Sequence, residues 1–142
     1  MDIFEKELML PTSKSAIRKR EKTISIFPVD DDILKDSEEY KEDEGNRLMY
    51  IMRSRPVEYG DIYKLDILDS DMERIAIKVE GCTLIRASDI TKVSVEKMGL
   101  TVEEGQIPYD VYKEHMAKCD VDIEPDTYVY CVHFSYCKKK EK

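Results

Sequence analysis

Residues 61–68 and 72–86 are two alternating runs separated only by Asp69-Ser70-Asp71, and that spacing limits what the chain can become. A link this short joins antiparallel neighbours and leaves no room for a crossover helix. In the first run Tyr63, Leu65 and Ile67 share one face. In the second, Ile75, Ile77 and Val79 point inward, and Gly81 reads as a bulge or bend. The most regular alternation lies at 127–137. It places Tyr128, Tyr130, Val132, Phe134 and Tyr136 on one face and Val129, Cys131, His133 and Ser135 on the other. A fourth strand is expected at 23–27, stopped by Pro28, and a fifth over the apolar run 47–53.

Helices fill the remainder. Thr12 or Ser13 can cap a short basic helix over 14–20. Ser88 or Asp89 can cap another over 90–98, ended by Gly99, and Pro108 suits the first position of a helix over 109–119. Residues 3–10 read equally as helix or strand. Residues 29–46 are acidic and weakly patterned, which predicts a solvated loop with at most a helical turn at 33–40, and 138–142 form a basic, frayed tail. The expected architecture is therefore α+β: one domain over 1–142, with a small curled or closed, mostly antiparallel β-barrel and short helices at the rim.

Charge is unevenly spread. The 142 residues sum to −8, yet 12–27 hold Lys14, Arg18, Lys19, Arg20 and Lys22 against Glu21 alone, a local +4 on a body of −12. An acidic body disfavours sequence-blind binding along a nucleic-acid backbone but leaves room for a local basic mouth. The competing reading is a solvated helix end followed by a core strand. No apolar run reaches the 18 residues of a membrane span, and the acidic start lacks the features of a signal peptide, so a cytoplasmic protein is expected. Cys82, Cys119, Cys131 and Cys137 form no CxxC, which predicts free thiols and neither metal nor cofactor. Cys131 with His133, or His115 on its helix, could form a nucleophilic pair but reads more readily as core or rim. The tyrosines of 127–137 could stack bases, although a core face is the simpler reading.

Ile17 to Phe27 resembles the signature I-x-x-G-x-K-T-x-T-x-R that opens ASCH domains of the PUA-like superfamily. Ile17, Lys22 and Thr23 match, and Ser25 stands in for Thr. Arg20 occupies the place of the Gly, and Phe27 that of the final Arg. Residues 56–62 look like the family's P-x-x-x-G-D-x, and 88–100 and 126–134 are similar to its later helix and closing strand. The resemblance spans about 14–136 and implies a PUA-like barrel that binds RNA, a nucleotide or a modified nucleoside. Lys14, Arg18, Lys19, Arg20, Lys22 and Thr23 would line the binding region. One branch of the family hydrolyses acetylated cytidine nucleosides, and by the motif Lys22 and Ser25 would be catalytic. The acid of that branch falls near Met98, with Glu96 two residues out of register. Binding is the expected role. A small amidohydrolase is the first alternative, and an acidic protein-interaction module the second.

Overall fold

The computed structural model describes residues 2–137. Its elements run α1 (Ile3–Leu8), α2 (Pro11–Arg18), β1 (Ile24–Pro28), α3 (Asp31–Asp36), α4 (Glu44–Arg53), β2 (Ile62–Leu68), β3 (Arg74–Arg86), α5 (Lys92–Lys97), α6 (Pro108–Ala117) and β4 (Tyr128–Tyr136). The strands form one antiparallel sheet in the order β1-β4-β3-β2. It curls into a half-barrel with short helices around it, the expected α+β architecture. The hairpin β2–β3 forms where the sequence places it, and the register slips between Val79 and Gly81, at the glycine. The basic tail lies outside the described residues.

Three expectations are corrected. The run 47–53 is helix α4 and not a strand. Asp43 accepts from the Asn46 amide and caps it, and only Ile51 of the helix is fully buried. An apolar run this short fits a helix or a strand equally, and the acidic cap decided between them. Residues 29–46 are mostly helical turns. Asp30 caps α3, and a 3-10 turn at Ser37–Tyr40 follows. The aspartates read there as solvation also satisfy free helix amides. Helix α2 starts at Pro11, in the first-turn position where its missing N–H costs nothing, so Thr12 and Ser13 lie inside the helix and neither caps it.

The core sits between β1, β4 and the helices. Phe4 of α1 packs on Phe27 with ring centroids 5.3 Å apart, and Phe27 on Tyr130 at 5.8 Å. The Tyr130 hydroxyl donates to the Ile51 carbonyl at 2.6 Å, which ties α4 to the sheet, so this tyrosine serves the core. Tyr112 of α6 likewise donates to the Ile26 carbonyl at 3.1 Å. Because α1 lies along β1, the helical step from Phe4 to Glu7 matches the strand step from Phe27 to Ser25. The apolar pair Phe4–Phe27 therefore brings a polar pair, Glu7–Ser25, into register beside it.

Candidate functional site

Lys22 follows the end of α2, and its ammonium turns inward. The side chain is fully buried, as are those of Glu7, Ser13 and Ser25, while His115 is 3% exposed. The other four converge on the Glu7 carboxylate. Oε2 accepts from Lys22 Nζ at 2.9 Å, His115 Nε2 at 2.8 Å and Ser13 Oγ at 3.1 Å; Oε1 accepts from Ser25 Oγ at 2.7 Å. Lys22 Nζ also donates to the Met98 carbonyl at 2.9 Å, at the C-terminus of α5. Gly99, at φ +91°, turns the chain there, and a Cβ on it would lie 2.4 Å from the Ala16 Cβ. That close approach presses the end of α5 against α2 and holds the Met98 carbonyl against the ammonium.

Burial alone would raise the Glu7 pKa. The Lys22 charge, the hydrogen bond and charge of His115 and the Ser25 hydroxyl outweigh it and hold the group at about 2, below its ordinary 4.5. Burial also pushes Lys22 down, and the Glu7 charge and hydrogen bond only partly restore it. With Glu7 ionised, His115 donates through Nε2, and its Nδ1 is buried without a hydrogen-bond partner. A carboxylate this acidic is a poor general base, and Lys22, Ser25 and Glu7 line none of the described clefts.

The remaining cations of the island face outward and apart. Lys14 is half-buried on α2, Lys19 borders a shallow cleft, and Arg18 donates from Nε to the Leu68 carbonyl at 3.3 Å. Thr23 is half-buried, and its amide bonds the Lys97 carbonyl at 2.8 Å. Arg20 sits where the ASCH signature has Gly, and its backbone keeps the left-handed turn at φ +61°. That position ends α2, where glycine is the usual occupant. Its guanidinium lies 4.5 Å from the centroid of Tyr136, whose hydroxyl donates to the Lys22 carbonyl at 2.6 Å. Arg20 and Tyr136 open onto a cleft of about 780 Å³ that Lys64, Arg74, Asp71 and Glu73 also line.

The structure thus separates residues that the sequence groups together. Lys22 and Ser25 belong to a buried cluster, and Arg20 to an open cleft on the other side of the same loop. The carboxylate that meets Lys22 and Ser25 is Glu7, from the first helix, while Glu96 is exposed on α5. Glu7 was missed, Ser13 was read only as a possible helix cap, and His115 as a core or rim residue or a partner for cysteine; only the packing of α1, α2 and α6 brings the three together. Cys131 and His133 do meet, at 3.7 Å, but burial pushes the Cys131 thiol up and away from the thiolate a nucleophile needs. Among the described residues no helix is long and apolar enough to cross a membrane.

No family model matches the sequence, and no curated protein aligns with it significantly. Solved structures similar to it include two of known source. One is protein EF3133 from Enterococcus faecalis V583, of the DUF984 family, at TM-score 0.50 and 16% identity over 87% of this chain and 66% of that one. The other is an ASCH domain from Lactobacillus crispatus JV V101, at TM-score 0.47 and 10% identity over 87% of this chain and 69% of that one. The chain therefore spans about two thirds of the length of each. Its fold is like that of the DUF984 protein, a curled antiparallel sheet with short helices around it.

Proposed function

We propose that this PUA-like domain binds RNA or a nucleotide, and that the contact surface is the open cleft beside the turn after α2. The observation that carries this reading is the stack of Arg20 on Tyr136 at the mouth of a nucleotide-sized cleft that Lys64 and Arg74 also line. A guanidinium over a ring is replaceable by a base, and the freed cation then meets phosphate. Asp69, Asp71 and Glu73 share the rim, which restricts the contact to a short segment and disfavours a long backbone track. Lys19, next to Arg20 in the chain, borders a separate shallow cleft. Lys22 and Ser25 support the surface from below, since Tyr136 is hydrogen-bonded to the Lys22 backbone.

The test is fluorescence anisotropy with a short single-stranded RNA. Binding should weaken as salt rises, and Lys19→Glu/Arg20→Glu should weaken it at least about tenfold. Salt-insensitive binding, or none, overturns the proposal. The hydrolase reading is favoured by one observation, that Lys22 and Ser25 meet a carboxylate, Glu7, in one cluster. It requires deacetylation of an acetylated cytidine that disappears in Lys22→Ala.

A further inference from the structure

We propose that Ser13, Lys22, Ser25 and His115 form a receptor for a free carboxylate, and that Glu7, carried in on α1, is a tethered occupant of it. The donors come from α2, the loop after it, β1 and α6, so they belong to the body of the fold. The acceptor alone comes from α1, a helix of six residues joined to α2 through Met9 and Leu10. One carboxylate takes all four donors, three on Oε2 and one on Oε1, which is the pattern of a bound anion in a preformed site. A second observation also points to a ligand. His115 Nδ1 is buried and lacks a partner, so the wall offers one more polar atom than Glu7 can satisfy. An anion with a further polar group, or one that brings a water, would use it.

The ligand class is a small carboxylate. The ammonium and imidazole supply charge-assisted bonds, the two hydroxyls fix orientation, and no guanidinium is present to prefer phosphate. Glu7 reaches the receptor at the high effective concentration of a tether. A free ligand then competes with α1, which is otherwise held by Phe4 on Phe27 and Tyr63 and by the buried Leu8. Binding would release α1 and change the surface over β1. This inference is independent of the Arg20 cleft and of RNA.

Glu7→Ala removes the occupant and leaves the donors. Its melting temperature should rise saturably with sodium formate or acetate, by about 5 °C or more near saturation relative to sodium chloride at equal ionic strength. If the variant is unfolded in chloride, the same formate should restore a cooperative melt. In Glu7→Ala/Lys22→Met the formate effect should vanish. No difference between formate and chloride, or an equal effect in the double variant, overturns the receptor. In the wild-type chain, where folding is not in question, formate should speed hydrogen exchange of the α1 amides relative to chloride. Unchanged exchange overturns the displacement of Glu7.

Discussion

Lys22→Met removes one charge from a pair that has no access to water. Glu7 then keeps its burial and its donors Ser13, Ser25 and His115 but loses the ammonium at 2.9 Å. Breaking a buried pair on one side costs about 3–5 kcal/mol, because the remaining charge stays desolvated. The Glu7 pKa gives a second measure. A fall from 4.5 to about 2 in the folded state corresponds to roughly 3 kcal/mol at ~1.4 kcal/mol per pH unit. For a domain of this size the variant should melt about 10 °C lower. The sign with pH follows from the depressed folded-state value. The Glu7 contribution is fully present above 4.5 and is lost as pH falls from there towards about 2. Urea titrations followed by circular dichroism at pH 7, 4.5 and 3 measure both effects. Wild type should lose stability across that acid range, and Lys22→Met should start lower and lose less. Glu7→Gln/Lys22→Met should cost less than the two single changes together, by more than about 1 kcal/mol. A Lys22→Met variant within about 0.5 kcal/mol of wild type, with the same acid limb, would refute the buried pair.

Two further outcomes follow from the turns that flank the cluster. Gly99→Ala should destabilise by at least about 2 kcal/mol in the same urea assay, since it combines a left-handed backbone with a methyl 2.4 Å from the Ala16 Cβ; a change under about 0.5 kcal/mol would show that α5 and α2 are not pressed together. Arg20→Gly relieves a left-handed arginine, worth about 1–2 kcal/mol, and gives up a cation–π contact worth about 0.5–1 kcal/mol. Its stability should therefore equal or slightly exceed wild type while RNA affinity falls, and unchanged affinity would remove Arg20 from the binding surface.

The four strands and the β2–β3 hairpin were legible because sheet formation writes itself locally, whereas the place of β4 between β1 and β3 was not. Alternation in 61–68, 72–86 and 127–137 marks faces, a short turn fixes antiparallel pairing, and Gly81 marks the irregularity. The helices read as strand or loop, α4 and α3, failed where the deciding signal was one aspartate at the cap. The candidate site was half legible. Lys22 and Ser25 stand out in the signature, but their partners Glu7, Ser13 and His115 lie 15, 9 and 93 positions from Lys22. No local pattern encodes such a meeting; it arises only when three helices close on one end of β1.

That closure also explains how an acidic chain can keep a positive island without simply neutralising it. The one fully buried cation among the described residues, Lys22, has its counter-charge in Glu7, so its charge goes to joining α1 to the sheet. Arg20, two residues earlier, is turned the other way by its left-handed backbone and remains at the surface. The reversal between them is the end of α2. The Glu21 and Lys22 amides both bond the Ala16 carbonyl, at 2.8 and 3.3 Å, and Ala16 is the residue on which Gly99 presses. Inner cluster and outer cleft therefore share one backbone turn and one tyrosine hydroxyl. The Lys22 residue joins them: its ammonium is held by Glu7 inside, and its carbonyl accepts from the hydroxyl of the tyrosine that carries Arg20 outside.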